Sequence, residues 1–211
     1  MFKNLFSKNK EDTRKLEKPE QLRAGDILVF KYREVLPVHV REKNMAVEKV
    51  AGYEYEGGVS KEITLKDEDG NVFFMAISKE DGEEELCLSV QISRQDTLTL
   101  FSEDAIAHLW EAEFVTLEAQ AEIPQLDGWY TGKYHQTIKE QPAYYYSQDP
   151  QDQDLTLLDD GEELRYHECE GQDDRFGVNV EVWSDGSTDI YLQVYCPSDV
   201  IQEMWPHADE N

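Results

Sequence analysis

The sequence predicts a mainly β protein: two antiparallel β-units, each a meander or a partly closed barrel or sandwich, with one or two short helices. Three observations carry that prediction. Apolar residues alternate with polar ones along Ile63 and Leu65, along Leu86, Leu88, Val90 and Ile92, and again along Val178, Val180, Val182 and Ile190, Leu192, Val194, the period of a strand with one buried face. Asp69-Gly70, Asp81-Gly82, Asp160-Gly161 and Asp185-Gly186 punctuate those runs, as tight hairpins require, because Gly adopts positive φ without strain. The 211 residues include 11 Tyr, 8 Phe and 4 Trp, enough aromatic side chains to build a core, which a disordered chain of similar charge lacks.

Residues 1–23 form a basic arm with seven basic and four acidic side chains. Phe2, Leu5 and Phe6 share one face if the arm is helical. That face suits peripheral contact with a membrane surface, a partner groove, the protein's own domain, or its own acidic half. Residues 24–118 are read as the N-terminal β-unit. Its strands begin at Ile27–Phe30 and continue through Val35–Val40 and Met45–Tyr55, with a turn at Gly57-Gly58. The hairpin about Asp69-Gly70 and the strand ending at Ile92 follow. Ser102 then caps a helix over residues 102–110, with Glu103 and Asp104 favourably placed in its first turn. Phe114, Val115 and Leu117 read as a connecting strand.

Residues 119–154 read as an irregular aromatic connector, interrupted by Pro124, Pro142 and Pro150. Residues 155–211 form the C-terminal acidic β-unit. Leu155–Leu158 and Leu164–Cys169 lead into the two alternating strands about Asp185-Gly186, and Ser198 caps a final short helix carrying Val200, Ile201 and Met204. The hairpins at Ile63–Gly70 and Val180–Gly186 share a pattern that either a duplication or convergent turn chemistry produces.

Charge is divided unevenly. Residues 1–94 hold 19 acidic and 16 basic side chains, whereas residues 95–211 hold 27 acidic ones against Lys133, Lys139, Arg165 and Arg175. The formal net charge is −26. Such a field repels anions and attracts cations, so it excludes nucleic-acid binding through phosphate contacts and favours a basic protein or polycation as partner. Cys87, Cys169 and Cys196 are odd in number and lack Cys-x-x-Cys spacing, as expected in a reducing compartment. No stretch has the length and apolar character of a transmembrane segment or of a signal-peptide core. The expected location is cytoplasmic.

The catalytic motifs with recognisable spacing are absent: no Gly-x-Ser-x-Gly elbow, Walker loop or Gly-x-Gly-x-x-Gly is present. No cofactor is expected. His167 and Cys169 share a strand face and form the best local metal-ligating pair, to be completed by Cys196 or His207, or else they are ordinary core residues. Asp149, Asp152, Asp154, Asp159, Asp160, Asp173 and Asp174 lack the spacing of a calcium loop and suit only loose divalent binding. Trp129, Tyr130, Tyr134, Tyr144, Tyr145 and Tyr146 lie close in sequence among acids. They are the candidate ligand-binding residues, since aromatic faces and carboxylates together recognise cations; the alternative is a seam of tyrosines between two β-units.

The stretch from Leu22-Arg23-Ala24-Gly25-Asp26-Ile27 through Tyr55-Glu56-Gly57-Gly58 and Glu62-Ile63-Thr64-Leu65 to Val90 resembles the bacterial domain-of-unknown-function 4178 family, with Ile63 standing where that family has an aromatic. The resemblance implies an uncharacterised bacterial protein with a β-rich module, no catalytic residue to carry over, and neighbours in envelope-stress or polyamine-linked systems. The expected function is therefore a cytoplasmic bacterial binding or adaptor protein whose acidic half engages a basic partner or polycation. The alternative is a hydrolase or transferase using carboxylates in a cleft between the two units. A deep cleft holding a carboxylate of raised pKa favours the enzyme, and a flat acidic face lined with tyrosines favours the binder.

Overall fold

A computed structural model describes residues 14–80 and 83–207. The basic arm's Phe2, Leu5 and Phe6 and the Asp81-Gly82 turn lie outside the described residues. The strands are β1 Ile27–Phe30, β2 Asn44–Tyr55, β3 Gly58–Lys66, β4 Val72–Glu80, β5 Glu83–Ile92, β6 Thr116–Glu118, β7 Lys133–Tyr146, β8 Glu162–Gly171, β9 Phe176–Trp183, β10 Thr188–Pro197 and β11 Ile201–Trp205. Helices α1 Arg94–Leu100 and α2 Glu103–Ala107 lie between β5 and β6. The mainly β expectation holds, and all strand pairs are antiparallel.

The strands form one sheet that closes on itself. It consists of two four-stranded meanders, β2–β5 and β7–β10, whose edges pair twice: β5 with β10, and β2 with β7. The result is an eight-stranded ring. The first part of β2 pairs with β1, which carries β11, and the first part of β7 pairs with β6. Only the last parts of β2 and β7 meet, at Gly52–Tyr55 and Ala143–Tyr146. Register shifts after Val47 in β2 and about Ile138 in β7 make that possible, because a bulge bends a strand and lets it change neighbours. Glu140, at φ 50°, marks the second bend.

The hairpins compared in the sequence occupy different places in the two meanders. The β3–β4 hairpin is the middle one of the first, and β9–β10 is the last of the second. Gly70 at φ 88° and Gly186 at φ 86° supply their tight turns.

One face of the sheet is apolar. Ile63, Leu65, Met75, Leu88, Val178 and Val194 are buried there beneath Leu22, Phe30, Leu100, Phe101 and Leu109. Trp129 stacks on Phe73 at 5.7 Å between ring centroids, and Phe101 meets Tyr134 edge-on at 5.8 Å. Fully buried Asp26 joins the two ends of the described chain. It pairs with Arg14 and accepts hydrogen bonds from the backbone N–H groups of Arg23 and His207.

Four expectations are corrected. Residues 35–40 form turns rather than a strand, because Pro37 has no N–H to donate to a ladder. Leu155–Leu157 is a 3-10 turn capped by the Asp154 side chain. Residues 133–146 of the expected irregular connector form β7, the longest strand. The expected last helix is one 3-10 turn, Ser198–Val200, followed by β11, which completes the hydrogen bonds of the otherwise unpaired edge of β1. The helix capped by Ser102 is present, and α1, capped by Ser93, precedes it. No helix among the described residues is long and apolar enough to cross a membrane.

Candidate functional site

The other face of the ring encloses a lumen of about 390 Å³ to which all eight strands contribute. Strand alternation puts it there. On β3, Ile63 and Leu65 enter the apolar core, so Glu62 points to the opposite face. On β9, Val178 and Val180 enter the core, so Asn179 and Glu181 face inward; on β10, Leu192 and Val194 do so, leaving Tyr191 and Gln193. Tyr53, Phe74, Cys87, Ala143 and Glu168 complete one inward position from each remaining strand. An eight-stranded ring has room inside for side chains or for one small ligand.

The lumen is rich in carboxylates. Glu181 is only 5% exposed and accepts hydrogen bonds from Asn179 Nδ2 at 3.1 Å and from the Tyr53 hydroxyl at 3.4 Å. Tyr53 reaches it across the ring, since β2 and β9 are not adjacent. Burial, followed by the charges of Glu62 and Asp189, pushes the Glu181 carboxyl up to about 8. Burial also raises Glu62 to about 7, against the opposing pull of the Lys49 ammonium. Glu168 is raised as well, by burial first and by Glu170 second. The carboxylates of Glu62 and Glu168 have no hydrogen-bond or ion-pair partner among the described residues. Buried Asn179 Oδ1 has no partner either, although its own amide nitrogen is used on Glu181.

Aromatic rings flank these acceptors. Phe74 and Tyr191 meet edge-on at 5.5 Å. Tyr53, Tyr145 and Trp183 form a chain of edge contacts at 5.2 and 5.8 Å, and the Lys49 ammonium sits 4.9 Å from the Tyr145 ring centre while donating to its hydroxyl. Burial pushes the Tyr53 and Tyr191 hydroxyls well above the usual phenol range. The Cys87 thiol in the lumen wall is pushed up to about 12 by burial, so it is no thiolate nucleophile at neutral pH.

The residues singled out from sequence are dispersed. Trp129 is in the apolar core. The Tyr130 hydroxyl accepts the Ile123 N–H at 3.0 Å and the Tyr134 hydroxyl the Thr131 N–H at 2.9 Å, while the Tyr146 hydroxyl donates to Glu54 at 3.0 Å. Tyr144 is exposed. Tyr145 alone of the six touches an aromatic side chain of the lumen. His167 and Cys169 share a face of β8 as expected, but that face is the apolar core. His167 Nδ1 lies 3.3 Å from Gln136 Nε2, its ring is 5.5 Å from Trp110, and burial lowers its pKa. Among the described residues no three His, Cys, Asp or Glu side chains gather as metal ligands.

Four of the aspartates considered for divalent ions are engaged separately. Asp149 pairs with Lys61 at 3.1 Å and Asp152 with Arg23 at 3.3 Å, Asp154 caps Thr156, and Asp173 pairs with Arg175 at 2.6 Å. With Arg33–Asp199 at 3.4 Å, the pairs of Asp149 and Asp152 tie the nearly neutral front half to the acidic rear half. The lumen residues Glu62, Glu168, Asn179 and Glu181 were missed because alternation with apolar neighbours marks a solvent face equally well. Comparison with known protein families, curated proteins and solved structures finds no match for this chain.

Proposed function

We propose that this is a binding protein whose ring lumen takes a small organic cation, an amine. The observation that carries the reading is Glu62 and Glu181, two acids on different strands that face one aromatic-walled cavity, with burial raising both carboxyls against the pull of Lys49 on Glu62. A cation entering there ionises both carboxyls and meets Tyr53, Phe74 and Tyr191 rings, which favour positive charge at their faces. The surplus charge of residues 95–211 draws cations toward the molecule from solution. A cytoplasmic role in a bacterial envelope-stress or polyamine-linked system fits such a ligand, and a basic protein partner on the acidic exterior belongs to the same reading.

A second reading is acid–base catalysis by the same pair, because carboxyls that titrate near neutrality are suited to proton transfer. The binder is preferred because Asn179 Oδ1, buried without a partner among the described residues, and the carboxylates of Glu62 and Glu168 that line the same lumen, call for donors from a ligand. Calorimetric titration with n-butylammonium, followed by mass spectrometry of the recovered amine, separates the two. Binding with the amine returned unchanged, weakened about tenfold or more in Glu181→Gln, supports the binder. Absence of heat with this and other primary amines refutes it, and chemical conversion of the amine selects the enzyme.

A further inference from the structure

The acceptors in the lumen are not gathered at one point, and their spacing selects a ligand. Glu168 lies directly opposite Asn179 in the β8–β9 pairing, while Glu181 lies opposite Tyr166. Glu168 and Glu181 are therefore diagonal neighbours on the inner face, about 7 Å apart, with Asn179 beside both. Glu181 and Glu62 make one acidic station, linked through Tyr53 and Asn179 on Glu181 and through Lys49 near Glu62. Glu168 makes a second one, beside Tyr166, Cys87 and Tyr195. Neither Glu62 nor Glu168 has a partner for its carboxylate among the described residues. The Asn179 amide oxygen is buried and unpaired among the described residues, on a residue that lines the lumen opposite Glu168 in the ladder. A buried acceptor left without a donor is costly, and Asn179 Oδ1, between half-buried Glu168 and buried Glu181 on neighbouring strands, marks where a ligand's N–H groups go.

Resting on the cation-binding reading above, we infer that the ligand is a linear α,ω-diamine. One ammonium sits between Glu181 and Glu62, the other at Glu168, and the methylene chain lies along Phe74, Ala76 and Tyr191. One head has three N–H donors, enough to serve a carboxylate and Asn179 Oδ1 together. A chain of four or five methylenes spans the gap, whereas two methylenes are too short to reach both stations. A monoamine satisfies one station and leaves the other empty.

The test is calorimetry on the full chain with 1,2-diaminoethane, 1,4-diaminobutane, 1,5-diaminopentane and 1,6-diaminohexane, with n-butylamine as the one-headed control. Affinity is expected to peak at four or five carbons and to exceed that of n-butylamine by about tenfold or more, the worth of a second charge-assisted contact. Glu168→Gln, close in shape to the native side chain, is expected to reduce the best diamine to the n-butylamine level and to flatten the chain-length preference. If n-butylamine binds as tightly as every diamine, or if Glu168→Gln leaves the diamine preference intact, the two-station inference fails and the cation-binding reading survives. If no amine binds, both fail. The chain-length series uses only the unaltered protein, so the inference can be refuted even if the variant does not fold.

Discussion

A carboxyl group removed from water favours its neutral form, and Glu62 and Glu181 show the consequence. Both bind a proton in the folded ring at pH values where an unfolded chain has released it. Between the ordinary carboxylate range and about pH 8 the folded state thus holds more protons than the unfolded one, and stability falls as pH rises through that window. Replacing Glu62 by Gln removes the ionisation and keeps the shape. Glu62→Gln is expected to match the native protein near pH 5 and to exceed its stability above pH 8 by about 2 kcal/mol, read from urea unfolding at the two pH values. A variant less stable at both contradicts the assignment of Glu62 as an acid whose pKa is raised by burial. Lys49, Tyr53, Tyr191 and Asp189 also interact electrostatically with this pair. A bound cation reverses the trend, since it favours the ionised carboxyls and gains affinity as pH rises.

At the scale of elements, β7 decides the architecture. Its sequence, from Lys133 to Tyr146, does not keep the period of two: bulges about Ile138 and positive φ at Glu140 break the alternation, and Pro142 reads as a strand breaker. Those irregularities are what let β7 pair with β6, then bend and close against β2. The seam is also where Gly52 is needed. A Cβ there would lie 2.3 Å from Leu155 Cδ1, and Leu155 is itself buried. Gly52→Val is expected to cost about 2 kcal/mol and to raise amide hydrogen exchange at residues 52–55 and 143–146. Adding Leu155→Ala makes room, so the double variant is expected to be more stable than the sum of the single losses by about 1 kcal/mol. Strict additivity would show that the seam does not depend on this contact. The strands with intact alternation, β3, β5, β9 and β10, were legible from the sequence because each has one face in the apolar core.

The whole molecule carries a formal net charge of −26 on a compact ring, and like charges held close oppose folding. Added salt screens that repulsion. The melting temperature is expected to rise by about 2–4 °C between low salt and about 0.5 M NaCl, measured by calorimetry without ligand. A fall would mean that the ion pairs between the halves, Arg23–Asp152, Arg33–Asp199 and Lys61–Asp149, outweigh the repulsion. These pairs and the β5–β10 and β2–β7 ladders make the two halves one body, so the acidic half is not a separate surface tethered to a neutral one.

The amino-acid sequence by itself determined the β class, most strand positions, the Asp69-Gly70 and Asp185-Gly186 turns, the capped helix at Ser102 and the net negative charge. Those depend on near neighbours in the chain, through period, turn chemistry and composition. The tertiary structure alone decided that two meanders close into a ring, that the end of the chain adds a strand to β1, and that Glu62, Glu168 and Glu181 face a lumen rather than water. Alternation tells which residues share a face of a strand, but only the pairing of strands distant in sequence determines whether that face is inside or out.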